Sequence, residues 1–171
     1  MPRTAPWLGL LVRLGAAGIW LVAGAAKLAA LDQFHTQVEA YKLLPGALTA
    51  PLAYALPFVE VAIGLYLLVG LFVRPVALFA CALMLLFIAA MAQASARGLS
   101  LDCGCFGALS RQRVGTWTIL RDAALGVPAA LLVLRPARLL SLDASWRGLP
   151  DRFQFGQVAL RRGVAGPAID A

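Results

Sequence analysis

Four apolar stretches, each close to the length that crosses a lipid bilayer, govern what this chain can fold into. Residues 8–30 are interrupted by Arg13 and Lys27, and residues 52–72 by Glu60 alone. Residues 75–96 hold no charge, and residues 116–134 carry Arg121 and Asp122 in their first two turns. A hydrocarbon core takes about 20 residues of helix. Inside it the backbone finds no water, so each stretch must satisfy its own hydrogen bonds as an α-helix. Composition agrees: 13% of the 171 residues are charged and 61% are hydrophobic, where a soluble domain carries about 25% charged residues. Mean hydropathy is +0.83. The fold expected is therefore all-α: an integral membrane four-helix bundle over residues 1–134. A basic tail follows over residues 135–171, partly disordered and without a second core.

The net charge of +7 does not point to nucleic acid. Arg residues crowd the tail, and no phosphate loop or aromatic-interleaved basic groove accompanies them. A cytoplasmic segment beside anionic membrane lipid is the expected setting. Arg13 breaks the short apolar core that a cleaved signal peptide needs, so the first stretch reads as a retained span. With four spans, both termini and the second turn share one side. That side collects Arg3, Arg13, Arg74, Arg135, Arg138, Arg147, Arg152, Arg161 and Arg162, against Lys27, Lys42, Arg97, Arg111, Arg113 and Arg121 on the other. Nine against six predicts cytoplasmic termini in a bacterial cytoplasmic membrane. The loop between spans three and four then faces outward, where disulfides persist.

The first loop has a pattern of its own. In "LDQFHTQVEAYKLLPG", Phe34, Val38 and Tyr41 fall at i, i+4 and i+7, one face of a short helix ending before Pro45. This spacing predicts an amphipathic helix at the outer interface, closing the bundle.

Charges inside spans cost about 2.5–3.5 kcal/mol at mid-helix by insertion scales, so each asks for a reason. At about 1.5 Å per residue, Lys27 lies roughly 6 Å below the outer end of its helix, Glu60 roughly 12 Å, and Arg121 and Asp122 roughly 8–9 Å. All four sit in the outer half and their charges cancel. A paired polar cluster is expected there, either as glue between helices or as a pocket whose carboxylates move protons. Lys27 also has the option of snorkelling outward, and Arg13 reads as a snorkelling anchor near the inner end.

Above this cluster stands "SLDCGCFGALS", with Cys103 and Cys105 one residue apart. Three readings are open. Residues i and i+2 can come into bridging range in a tight turn. Asp102, Gly104 and Gly107 would build that turn, the two glycines supplying backbone freedom. The small ring would be strained and easily reduced, which suits exchange. Arg111 and Arg113 would favour the thiolates and Asp102 would oppose them. Alternatively, two thiolates could hold Cu(I), since zinc wants four ligands and the only histidine is His35. The third reading is a plain turn. Cys81, about 22 Å along its helix from the outer end, is too deep to reach the pair and reads as a small apolar residue.

The ordered segments "GIWLVAGAAKL", "VEAYKLLPG", "LPFVEVAIGLYLLVGL", "DCGCFG" and "ILRDAALG" together resemble the MauE family of DoxX-like membrane proteins, over about residues 15–130. The resemblance implies a four-helix, redox-associated membrane protein. It would work with an extracytoplasmic thioredoxin-like partner in maturing a disulfide-rich, methylamine dehydrogenase-type subunit. By position, Cys103 and Cys105 would be the redox pair, and Lys27, Glu60 and Arg121 the polar intramembrane residues. A partner thiolate would attack the Cys103–Cys105 disulfide, giving a mixed disulfide that a second cysteine resolves. Quinone-linked disulfide generators are similar in layout but carry two cysteine pairs where this chain has one, so onward electron transfer here would take a single exchange or a partner's cysteines. In such a relay the electrons would leave through a quinone held near Glu60, Lys27 and Trp20. A non-catalytic membrane anchor and a Cu(I)-handling protein remain as alternatives.

Overall fold

A computed structural model describes residues 6–43, 45–99, 101–103 and 113–135. They form five helices: α1 (Pro6–Leu28), α2 (Leu31–Ala40), α3 (Gly46–Val69), α4 (Val73–Ala96) and α5 (Thr116–Leu134). All but α2 are long and apolar enough to cross a membrane, and the chain is an all-helical, multi-pass membrane protein. Among the described residues there is no strand, and Asp102 pairs with Arg113 in an isolated β-bridge. Cys105, Gly104, Gly107 and Arg111 lie outside the described residues, as does the tail after Arg135.

The helices run close to the apolar stretches, with one informative difference. α3 begins at Gly46 rather than at residue 52, because Pro45 at its N-cap is extended (φ −58°, ψ 141°) and the helix starts directly after it. Hydropathy marks the oily part of a helix; hydrogen bonding carries the helix beyond it. Pro51 and Pro57 sit inside α3, which membrane helices tolerate. α3 ends at Gly70 in the left-handed region (φ 74°), and the turn into α4 places Phe72 there as well (φ 52°).

Water drives no association between spans in lipid, so close backbone approach has to hold them together. α1 and α3 form the most extensive helix contact, followed by α4 with α5 and α1 with α5. Small residues line these faces: Ala16, Ala17, Ala53, Ala77 and Ala80 are buried around Trp20 and Leu67. Gly24 and Gly64 mark the tightest approach. A Cβ on Gly24 would stand 2.8 Å from Val61 Cγ2 and 2.9 Å from the Pro57 carbonyl oxygen, and one on Gly64 would stand 2.6 Å from Leu21 Cγ. Leu11, Phe58, Leu85 and Trp117 point out of the bundle and are exposed, a surface suited to acyl chains and not to water.

α2 closes one end. Its Phe34 is buried in the core, His35 stacks on Tyr54 of α3 at 5.8 Å, and Tyr54 O–H reaches Asp32 at 3.5 Å. The i, i+4, i+7 face thus packs down onto the spans as a cap. Arg13 departs from the anchor expectation: at 1% exposure it is folded into the bundle and does not reach a surface.

Candidate functional site

Lys27 lies in the last turn of α1 and Glu60 in the middle of α3. Gly24, against Pro57 and Val61, lies about one turn from Lys27, and Gly64, against Leu21, about one turn from Glu60, so both close approaches draw the two backbones together. Lys27 Nζ donates to Glu60 Oε1 at 2.6 Å and Oε2 at 2.7 Å, with both residues fully buried. Nζ also lies 5.4 Å from the Phe34 ring centroid and 5.5 Å from that of Phe87, close enough for cation–π attraction. Lys27 therefore does not snorkel. It is held inside by a carboxylate that would itself be costly to bury alone.

The second pair sits on α5. Arg121 Nε and Nη2 donate to Asp122 Oδ1 at 2.9 Å and 2.8 Å, and Asp122 is buried. The same Nη2 lies 3.4 Å from Cys103 Sγ. The two described ends of the loop are joined beside this contact: Val114 N–H donates to the Leu101 carbonyl at 2.7 Å. Asp102 and Arg113 thereby pair, and Cys103 comes to rest beside the first turns of α5. Tyr41, at the end of α2, donates its O–H to the Cys103 carbonyl at 3.2 Å. Arg97, at the end of α4, donates Nη1 to the Tyr41 carbonyl at 3.1 Å. Cys103 is itself buried.

Two cavities adjoin Lys27. One, of about 20 Å³, is bounded by Trp20, Lys27, Glu60 and Asp122, room for about one water. It links the ion pair of α1 and α3 to the carboxylate of α5. The other, of about 210 Å³, reaches from Lys27 to Cys103 and has almost wholly apolar walls. The space beside Trp20 and Glu60, where the sequence placed a quinone, is thus water-sized. Ring-sized room lies on the far side of Lys27.

The family model described as methylamine utilisation protein MauE matches residues 5–135, the whole helical part. The chain belongs to the MauE family. It is 33% identical to the Paracoccus denitrificans methylamine utilization protein MauE over 158 residues, covering 80% of this chain and 85% of that protein. It is 38% identical to the Methylophilus methylotrophus MauE over 122 residues, covering 70% of this chain and 64% of that protein. With the Paracoccus versutus MauE it shares 33% identity over 126 residues, 70% of this chain and 68% of that one. No solved structure matches.

Within this MauE chain, the structure brings Lys27 to Glu60, Arg121 to Asp122, and Arg121 to Cys103. Arg113, expected beside the thiols, is exposed and spends its backbone on the bridge to Asp102. Sequence reasoning missed Tyr41 as a clamp on the cysteine segment. Its place on the apolar face of α2 hid that its hydroxyl ends where the next loop begins. Cys81 is half-buried within α4 and packs against the core.

Proposed function

We propose that this MauE family chain is a membrane-embedded thiol–disulfide partner of an extracytoplasmic thioredoxin-like protein, supporting disulfide formation in exported proteins. The observation that carries this reading is the guanidinium of Arg121 on Cys103 Sγ at 3.4 Å. A cation in hydrogen-bond range stabilises a thiolate, and the thiolate is both nucleophile and leaving group in exchange. Burial of Cys103 supports different tasks for the two sulfurs. The partner thiolate attacks Cys105 Sγ, the Cys103–Cys105 bond breaks, and Cys103 leaves as a thiolate held by Arg121. The partner's second thiolate then attacks its own sulfur in the mixed disulfide and releases Cys105 as a thiolate. The partner departs oxidised, and this chain keeps two reduced sulfurs.

The excess of Lys and Arg on one side supports cytoplasmic termini in a bacterial cytoplasmic membrane, with the cysteine loop outside. The names of the relatives support a task in methylamine utilisation, and the resemblance supports maturation of a methylamine dehydrogenase-type subunit as that task.

Trapping tests the reading. Cys103→Ala and Cys105→Ala are each expressed with the thioredoxin-like partner, quenched in acid, alkylated and run without reductant. The expected result is a covalent adduct, stronger in Cys103→Ala, where the Cys105 thiolate attacks the oxidised partner's disulfide, one partner thiolate leaves, and Cys103 is not there to resolve the mixed disulfide. Adduct from neither variant overturns exchange. If the double variant still supports client maturation, the chain acts as an anchor instead.

A further inference from the structure

The larger cavity raises its own question: what fits a space with a buried ammonium at one end, a thiol at the other, and apolar walls between? Engineered apolar cavities of about 150 Å³ take up benzene, so about 210 Å³ holds one substituted six-membered ring. Phe34, Tyr41 and Phe87 line it and offer faces and edges for stacking. An ammonium has three N–H donors. The two Glu60 oxygens take two of them, which leaves one for an acceptor. Because Glu60 already neutralises the ammonium, that acceptor is a neutral carbonyl rather than an anion. Leu52 and Leu86 line the same cavity and are exposed at the bundle surface, so an apolar tail can leave through that wall into lipid.

We propose that this cavity seats the ring of a membrane quinone, one carbonyl accepting from Lys27 Nζ and the ring lying toward Cys103. The site deepens the exchange reading and rests on it for its redox role. Once Cys103 and Cys105 are reduced, the chain needs a two-electron acceptor. Two S–H bonds break and one S–S bond forms. The quinone takes the two electrons and two protons at its ring oxygens and leaves as the hydroquinone. One pair of sulfurs suffices, because the acceptor lies toward Cys103, a member of the pair that meets the partner.

The test uses the full chain in phosphatidylcholine nanodiscs and a short-tailed azido-ubiquinone as photoreactive probe. Labelling is expected on the segments around Phe34–Tyr41 and Leu86–Met91, with displacement by unlabelled short-tailed ubiquinone. Ala90→Phe fills the cavity, since Ala90 lines it, and is expected to cut labelling about tenfold, the equivalent of about 1.4 kcal/mol. Ala89→Phe, on the exposed face one residue away, serves as the control for fold and non-specific insertion. The joint variant Lys27→Met with Glu60→Met keeps charge balance and removes the donor, and is expected to weaken quinone binding about tenfold. Labelling that survives Ala90→Phe, or that excess dodecane displaces as well as quinone does, overturns the site in favour of an acyl-chain pocket. Partner adducts without quinone labelling overturn the quinone site alone. Labelling without adducts upholds the site and overturns the partner exchange alone.

Discussion

Arg121 Nη2 stands 3.4 Å from Cys103 Sγ and 2.8 Å from Asp122 Oδ1. One guanidinium thus joins a buried carboxylate to a buried thiol. Asp122 receives two donors from Arg121 on the same oxygen, which fixes the plane of the guanidinium. The sulfur contact is therefore set by α5, a rigid span, although the sulfur belongs to a loop.

Replacing Arg121 is expected to slow exchange at Cys103. A hydrogen bond to a charged group contributes about 1.5–3 kcal/mol, so its full loss in the transition state slows exchange about ten- to a hundredfold. Arg121→Lys keeps the charge but not the fork that reaches two partners, and should fall between wild type and Arg121→Gln. Stopped-flow reduction of the loop disulfide by a small dithiol reads the effect. Equal rates in all three proteins would show that the guanidinium only orders Asp122.

Lys27 and Glu60 are expected to behave as a unit. Removing one partner of a buried pair costs about 3–5 kcal/mol because it strands the other charge, whereas removing both costs far less. Lys27→Met and Glu60→Met should each lower thermal stability in detergent well below that of the joint variant. Additive losses in a double-mutant cycle would contradict a pair held at 2.6 Å.

Much of this was legible in the residues. Four apolar runs gave four spans, and the i, i+4, i+7 face of Phe34, Val38 and Tyr41 marked a capping helix. The shared level of Lys27, Glu60, Arg121 and Asp122 anticipated a polar cluster, because rise per residue is nearly constant along helices. Rotation about the helix axis is not given by depth. That is why the pairing of Lys27 with Glu60, and the split of Arg121 toward Cys103, had to come from packing. Arg13 misled for the same reason. A charge near a helix end reads as an anchor, and only the helices around it decide whether it faces the surface. The loop was the least legible part, since the hydrogen bond from Val114 to Leu101 joins residues that share no sequence pattern.

Tyr41→Phe removes the O–H that α2 donates to the Cys103 carbonyl, a bond of 3.2 Å. A neutral hydrogen bond contributes about 0.5–1.5 kcal/mol, so global stability should change little while the cysteine segment opens more often. Labelling of reduced Cys103 by a bulky maleimide, with Cys105 and Cys81 replaced by Ala, is expected to speed up several-fold, following the free energy of local opening. An unchanged rate would mean that Arg97, the bridge to Arg113 and the other contacts hold the segment without the tyrosine.

The close approach of α1 and α3 makes its own prediction, because it sets the distance across which Lys27 meets Glu60. Gly24→Ala places a methyl 2.9 Å from the Pro57 carbonyl oxygen and 3.0 Å from the Val61 nitrogen. Both are backbone atoms, so the helices themselves must part. Gly64→Ala meets the Leu21 side chain at 2.6 Å and 2.9 Å and its backbone nitrogen at 3.0 Å. Overpacking of this kind costs about 1–3 kcal/mol, and here it also stretches a buried ion pair. Gly15→Ala is the matched control: nothing lies within 4 Å of its added carbon, and alanine is the better helix former by up to about 1 kcal/mol. Thermal unfolding in detergent should therefore rank Gly15→Ala at or above wild type and the other two clearly below it. Introducing Lys27→Met with Glu60→Met should then relieve part of the Gly24→Ala loss, since no salt bridge remains to be stretched. Full additivity between the glycine and the charge replacements would mean that the helix contact and the ion pair are independent.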